Sequence, residues 1–589
     1  MRTTQSRGQY LESSRPTSPL LTSDQPSTLF TQQQMISISM GREVSIDEIQ
    51  RSIPHCRFHY ILILIHLLLY VSTSFIVYNF AYFQMSPRYK CTFTDPSSPE
   101  FLYTSECTKE QICSADSPNQ VCMGDKSINQ VNSIEITEQN KNHKLIKWDI
   151  QWDSTHSLKN WITWLNLHCA DNYKIGMFGS LYFAGFLISC LIFPPLSDKY
   201  GRKDLFLMGG LSQLIVISIM LLDKSIEIQL IMIFSLGFAQ PVKSMIAYTH
   251  LMEFLPGRES KISGVFMFLD GLVIVITPFL IHLISQDLNM LLFIALLFNV
   301  VSLVLFLITR IPESTKYLIQ NQKYIAFEKA IQRVKSLGGL SDQQIAKTFA
   351  LLKIYELQQR TKVVIDQQLN NTWNKNSIER LKGAKNIAYN LVLMTISWTC
   401  VSFSYFMISF FIKYLPGDIY ENQSVSGLSA FAFLFAGPIS RKLDNKITLT
   451  LSFLIATLAS LTMVVFMQLG ISPEDGLSIF ILLIRCGVNL AFCLVFVIHT
   501  QLFPPNFLAT SYGICNFFCR SVTLFAPIIA EVEDKSIPMY TLLAACFIGT
   551  LSSFSLRQMT EKEETLITSD YPSISNTPRD RHMSISLIK

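Results

Sequence analysis

The chain has 589 residues, of which 49% are hydrophobic, 12% aromatic and 15% charged, with a mean hydropathy of +0.32. Such a composition excludes an ordinary soluble domain and puts much of the length in lipid. The net charge of +5 does not point to nucleic acid, because the basic residues gather in alternate short loops between long apolar runs.

A spanning helix needs about 20 mostly apolar residues. About twelve such runs are read, at 58–84, 175–196, 205–222, 228–250, 262–285, 288–309, 387–412, 424–440, 447–468, 476–499, 510–531 and 537–556. The predicted fold class is an all-α membrane protein of 12 transmembrane helices in two six-helix halves. Expected divisions are a disordered tail at 1–56, a first half at 57–310, a central loop at 311–386, a second half at 387–557 and a disordered tail at 558–589. Residues 1 to about 40 lack a charged segment followed by an apolar one, so no cleavable signal is expected and the first span would serve for insertion.

Basic residues precede the first run (Arg42, Arg51, Arg57) and follow the second (Lys199, Arg202, Lys203), the fourth (Arg258, Lys261), the sixth and the eighth (Arg441, Lys442, Lys446). The intervening short loops carry Asp223, Asp287, Asp418, Glu474, Asp475, Glu533 and Asp534. By the positive-inside rule both termini are expected in the cytosol. The loop 86–174 then lies outside with Cys91, Cys107, Cys113, Cys122 and Cys169, an odd number of disulfide candidates whose connectivity the spacing leaves open. Asn422-Gln-Ser is a glycosylation candidate on the same side. The remaining cysteines lack metal-ligand spacing and read as packing residues.

Pro194-Pro-Leu-Ser-Asp-Lys-Tyr-Gly-Arg-Lys203, between the second and third runs, closely resembles the signature loop of major facilitator transporters. Trp164 and Cys169 ahead of the second run, Ile311-Pro-Glu-Ser-Thr-Lys-Tyr-Leu318 after the sixth and Cys519-Arg-Ser-Val-Thr-Leu-Phe-Ala-Pro527 in the eleventh resemble the organic ion transporters, solute carrier family 22. Val44-Ser-Ile-Asp-Glu-Ile resembles the amphipathic element that opens them. The resemblance implies a major facilitator fold that moves small organic ions by alternating access.

The halves repeat. Residues 194–203 align without gaps on Gly437-Pro-Ile-Ser-Arg-Lys-Leu-Asp-Asn-Lys446, and Glu253-Phe-Leu-Pro256 aligns on Gln501-Leu-Phe-Pro504. A charged cytosolic gate is expected from Asp198, Arg202, Lys203, Glu253, Arg258 and Glu313, with a rewired counterpart in which Arg441 reaches Asp444 or first-half acids.

Ionisable residues inside spans are costly and are therefore candidates for function. They are Lys243, Asp270, Arg485 and Arg520. In the family that the chain resembles, the anion branch has Arg at the position of Arg520, which implies organic anions. Lys243 either reinforces an anion site or extends to the cytosol. Asp270 is expected to pair with a base, the alternative being a proton carrier. Trp398 and Tyr405 in the aromatic seventh run are expected to line the cavity. Organic cations, zwitterions or sugar-like nutrients are the alternatives within transport, and a solute-sensing receptor the alternative outside it. No Walker loop, Gly-x-Ser-x-Gly elbow or zinc-protease motif is present, so neither enzyme activity nor a cofactor is expected. The expected partners are the organic ion, the bilayer of the plasma or an internal membrane, and a coupling ion or exchanged counter-solute.

Overall fold

The computed structural model describes residues 44–95, 98–113, 144–256, 259–369, 377–415, 417–469, 477–503 and 505–557. Cys122, Arg258 and the Arg441 side chain lie outside the described residues.

Among them, eleven helices are long and apolar enough to span a membrane. In the first half they are Arg57–Phe83, Asn172–Tyr200, Lys203–Leu222, Ile226–Met252, Ile262–Leu283 and Asn289–Thr309. In the second they are Lys385–Tyr414, Asn445–Gln468, Ser478–Leu502, Ser511–Ala530 and Ser536–Ser555. The eighth predicted run is instead two shorter helices, Ile419–Leu428 and Phe431–Leu443. The chain turns between them at Ser429, whose hydroxyl Oγ receives a 2.8 Å hydrogen bond from Asn489 of the tenth span. We number the spans one to twelve with this pair as the eighth.

Neighbour relations repeat between the halves. The first span packs on the sixth and the seventh on the twelfth; the second packs on the fourth and the eighth on the tenth. Across the junction the second packs on the eleventh, and the eighth on the fifth. Close helix approach is set by small residues: a Cβ on Gly185 of the second span would lie 2.1 Å from the Phe234 carbonyl, and one on Gly237 of the fourth 1.9 Å from that of Tyr182. The fourth span also changes pitch. Pro241 cannot donate an amide hydrogen bond, and a π-helical turn follows it at Val242–Ala247.

The membrane part is all helical, and the loop after the first span adds a small antiparallel sheet. Strands β1 (Tyr89–Asp95), β2 (Ser98–Cys107) and β3 (Lys144–Ile150) lie in the order β2-β1-β3. Cys91 bonds to Cys107 across β1 and β2, and Cys113 to Cys169, just ahead of the second span. Four of the five candidate cysteines are thereby paired. We call this the disulfide side and the opposite one the charged-loop side.

On the charged-loop side, helix Ile46–Arg51 is capped by Ser45, whose hydroxyl accepts from the Glu48 amide. The amphipathic element therefore orders part of the stretch read as a tail. Helices Thr315–Gln320, Tyr324–Gly338 and Asp342–Leu369 bury Leu318, Phe327, Ile331, Val334 and Ile345 against Ile49 and Phe58. Their described contacts are with the first half.

Candidate functional site

The polar run Ser72-Thr73-Ser74 interrupts the first span and serves three partners. Ser74 Oγ donates to Asp270 Oδ1, Ser72 Oγ accepts from Gln213 Nε2 at 2.7 Å, and Thr73 Oγ1 accepts from Lys243 Nζ. Lys243 also donates to Gln213 Oε1 at 2.5 Å. It therefore sits buried inside the first half, its charge answered by neutral oxygens rather than turned toward the cytosol.

Asp270 is 4% exposed, and its Oδ2 accepts from the Tyr78 hydroxyl at 2.5 Å. The base expected beside it is not there among the described residues. Two hydroxyls hold it instead, as charge-assisted donors. The Tyr78 ring meets that of Tyr405 edge-on at 5.9 Å, joining first half to second. The Arg485 guanidinium lies 4.9 Å from the Tyr405 ring centre and donates to the Tyr405 carbonyl at 3.2 Å and to Ser409 Oγ at 2.6 Å. Arg485 thus braces the tenth span to the seventh, fully buried. Carboxylate and guanidinium are linked through two phenols, with no direct contact.

Arg520 is placed differently. Its guanidinium lies 4.1 Å from the ring centre of Phe186 in the second span and 6.0 Å from that of Phe406 in the seventh. Among the described residues its hydrogen bond is to Ser402 Oγ at 3.3 Å, no carboxylate is in ion-pair range, and Nε is unmatched. A guanidinium offers five donors. Most of those of Arg520 remain available between the two halves.

Trp398 is 1% exposed, packed edge-on against Phe496, His499 and Tyr512 within the second half. It is a core residue of that half and lies apart from the junction at Tyr405. Sequence reasoning passed over Ser74, Tyr78, Gln213 and Phe186. The polar triplet and the lone Gln in apolar runs were the available signal for Ser74 and Gln213.

The charged-loop network also assembles. Arg202 reaches Asp198 Oδ1 at 3.1 Å, Glu253 Oε1 at 3.3 Å and the Ser197 carbonyl at 3.0 Å, and lies over the Tyr317 ring. Glu313 caps the third span, accepting from the amides of Arg202 at 3.0 Å and Lys203 at 3.1 Å, where the helix dipole favours an anion. Gly201 makes this approach possible: it has φ +108°, and a Cβ would fall 2.3 Å from Glu313 Oε2. Ser314 Oγ donates to Glu253 Oε2. Burial pushes the Glu253 carboxyl up, against the downward pull of Arg202.

In the second half the same backbone recurs with different chemistry. Asp444, at the place of Gly201, also has positive φ, +67°. Asn445 stands where Arg202 does and Gln501 where Glu253 does, and Asn445 Nδ2 donates to Gln501 Oε1 at 2.8 Å. A neutral amide pair thus replaces the ion pair. Asp444 is exposed, and its carbonyl accepts from the Thr448 amide and hydroxyl.

Hydrogen bonds between the halves include Ser180 to the Leu524 carbonyl, Lys413 to that of Gln84, Tyr420 to that of Thr155 and Gln423 to that of Tyr78. They lie between the central layer and the disulfide side, where the halves are closed on one another. Lys413 also pairs with Glu531 at 2.7 Å, both side chains buried. Asn422, the glycosylation candidate, is buried here with its Oδ1 accepting from Ser478 at 3.0 Å, which leaves no room for a glycan in this conformation.

Residues 155–527 match the family model described as Major Facilitator Superfamily. The chain is 24% identical over 402 residues to solute carrier family 22 member 4 of Mus musculus, covering 67% of this chain and 68% of that one. It is 23% identical over 428 residues to organic cation/carnitine transporter 2 of Homo sapiens, covering 71% and 72%. The fold resembles an inward open conformation of the xylose transporter XylE from E. coli, with a TM-score of 0.55 at 11% identity over 87% of this chain and 98% of that one. A POT family transporter in complex with 5-aminolevulinic acid gives 0.51 at 13% identity over 86% and 97%. With two packed half-repeats, the signature loop folded as a charged network and a family model covering most of the spans, this chain belongs to the Major Facilitator Superfamily and is similar to solute carrier family 22 members.

Proposed function

We propose that the protein transports small organic anions by alternating access, with Arg520 as the anion-holding residue. The single observation that carries this reading is the unspent guanidinium of Arg520 at the junction of the halves, set on Phe186 and Phe406 with no carboxylate beside it. A carboxylate attached to an apolar or ring-bearing body suits that setting: the guanidinium accepts it in two parallel hydrogen bonds, and the rings cover the body. Arg485 adds positive charge to the central region. The disulfide side is assigned to the exterior and the charged-loop side to the cytosol, which makes the described conformation closed outward. The solute gradient, a coupling ion or an exchanged solute drives the cycle.

A zwitterion is the second reading, because Asp270 has hydroxyl partners and no base, leaving a carboxylate for an ammonium group. The relatives named for organic cations and carnitine favour it as well. Uptake into proteoliposomes of a labelled aromatic monocarboxylate, a betaine-type zwitterion and a quaternary amine separates these. The anion should be taken up at least tenfold faster than the amine, and Arg520→Gln should abolish the difference. Equal anion uptake by Arg520→Gln sinks the assignment, and binding without flux favours the receptor.

A further inference from the structure

Two histidines that the transport reading does not use meet inside the first half. His66 lies in the first span and His250 near the end of the fourth, 2% and 0% exposed. His66 Nδ1 is 2.8 Å from the Leu62 carbonyl, His66 Nε2 is 3.1 Å from His250 Nδ1, and His250 Nε2 is 3.1 Å from the Pro312 carbonyl. Carbonyl oxygens only accept, so the two outer nitrogens each carry a hydrogen. A neutral imidazole has one N–H, and both are then spent outward. The inner nitrogens of a neutral pair would face each other with lone pairs at 3.1 Å. The contact is a hydrogen bond only when a third proton lies between them.

We propose that His66 and His250 form a proton-binding site, holding one shared proton in the described conformation and coupled through Pro312 to the charged-loop network. When that proton leaves, one ring must give up its carbonyl. Release of the bond from His250 frees Pro312, whose neighbour Glu313 caps Arg202 and Lys203 and whose next residue, Ser314, holds Glu253. Burial of both rings opposes the proton, and the Leu62 and Pro312 carbonyls favour it. Arg202 and Lys203 from the third span oppose the proton. Glu253 is paired with Arg202 at 3.3 Å, Glu313 is held by the Arg202 and Lys203 amides, and the charge of Lys316 is taken up by Asp47 at 3.5 Å. Phe206 and Phe254 flank the rings and exclude water.

Because the site is filled in the conformation closed on the disulfide side, acid favours that conformation. One-proton linkage changes the conformer ratio by at most about tenfold per pH unit. The test uses the full chain in lipid nanodiscs and needs no substrate, so it is independent of the anion reading. Nitrogen NMR of labelled histidine between pH 5 and 9 should show one ring pair with three protonated nitrogens that loses one proton, and His66→Gln should remove it. Spin labels at the exposed positions of Tyr200 and Leu443 should change separation over the same range in the parent chain and not in His66→Gln, which leaves the Pro312 bond in place. Two neutral rings throughout overturn the site. A bound proton with unchanged label separation, or the same pH response in His66→Gln, overturns the coupling.

Discussion

Asn445 donates to Gln501 at 2.8 Å in the positions where the first half sets Arg202 against Glu253. The backbone repeats while the charge does not, so the two halves hold their charged-loop ends by interactions of unequal strength. Arg202 and Glu253 have side chains only 8% and 10% exposed, whereas Asp198 is 67% exposed. Removing one partner of a buried pair costs about 3–5 kcal/mol, and an exposed one about 0–1 kcal/mol. Glu253→Ala should therefore lower thermal stability and uptake far more than Asp198→Ala, with Gln501→Ala nearer the latter. Comparable losses in all three would remove the asymmetry.

Lys413 joins Glu531 of its own half to the Gln84 carbonyl of the other, with side chains 3% and 1% exposed for the ion pair. Lys413→Met leaves the buried Glu531 carboxylate without its cation, held by the Tyr414 hydroxyl, and removes the bond to Gln84 across the halves; loss of one partner of a buried pair costs about 3–5 kcal/mol. Thiol labelling of a cysteine placed at Gln84, applied from the disulfide side, should accelerate at least tenfold in the Lys413→Met background. An unchanged rate would show that other contacts keep this side shut.

The two disulfides should differ in effect, since Cys113–Cys169 closes 56 residues and Cys91–Cys107 closes 16. Chain entropy gives about 4 and about 3 kcal/mol respectively. Only the longer one ties the sheet region to a span. Paired serine substitutions at 113 and 169 should lower the melting temperature of the purified protein more than those at 91 and 107, with the order reversed if local sheet strain dominates.

His168 gives an acid-labile point outside the membrane. It is buried beside Tyr89, whose hydroxyl lies 3.0 Å from its Nδ1, and burial, with Lys109 adding to it, lowers its pKa to about 4. Its ordinary value is about 6.5, so the unfolded chain takes up the proton first as pH falls. The stability from neutral His168 is complete above pH 6.5 and is lost between 6.5 and 4, on the order of 3 kcal/mol in all. His168→Gln should flatten melting temperature against pH across that window. A slope identical to that of the parent chain would place the acid sensitivity elsewhere.

The membrane spans were legible because lipid demands about 20 apolar residues whatever the packing. Repeat alignment also carried information, since it set Asn445 opposite Arg202 and Gln501 opposite Glu253 before any contact was known. The break in the eighth span was not legible: Ser429 turns the chain through a bond from Asn489, 60 positions away. Nor were the partners of Asp270. Ser74 and Tyr78 lie more than 190 residues from it, and one turn of helix decides whether a hydroxyl or a base arrives. Composition shows that a buried charge must be answered, but only packing chooses by what.

The sheet at β1–β3 hangs from the first half at both ends, by the chain from the first span and by the disulfide at Cys169, and the segment just after β3 touches the second half where the Thr155 carbonyl accepts from Tyr420. It is a visor hinged to one jaw. Any rocking of the halves would carry it away from Tyr420 as a rigid piece, so a binding reagent that bridged the sheet to that tyrosine would hold the jaws together from outside without entering the path between them.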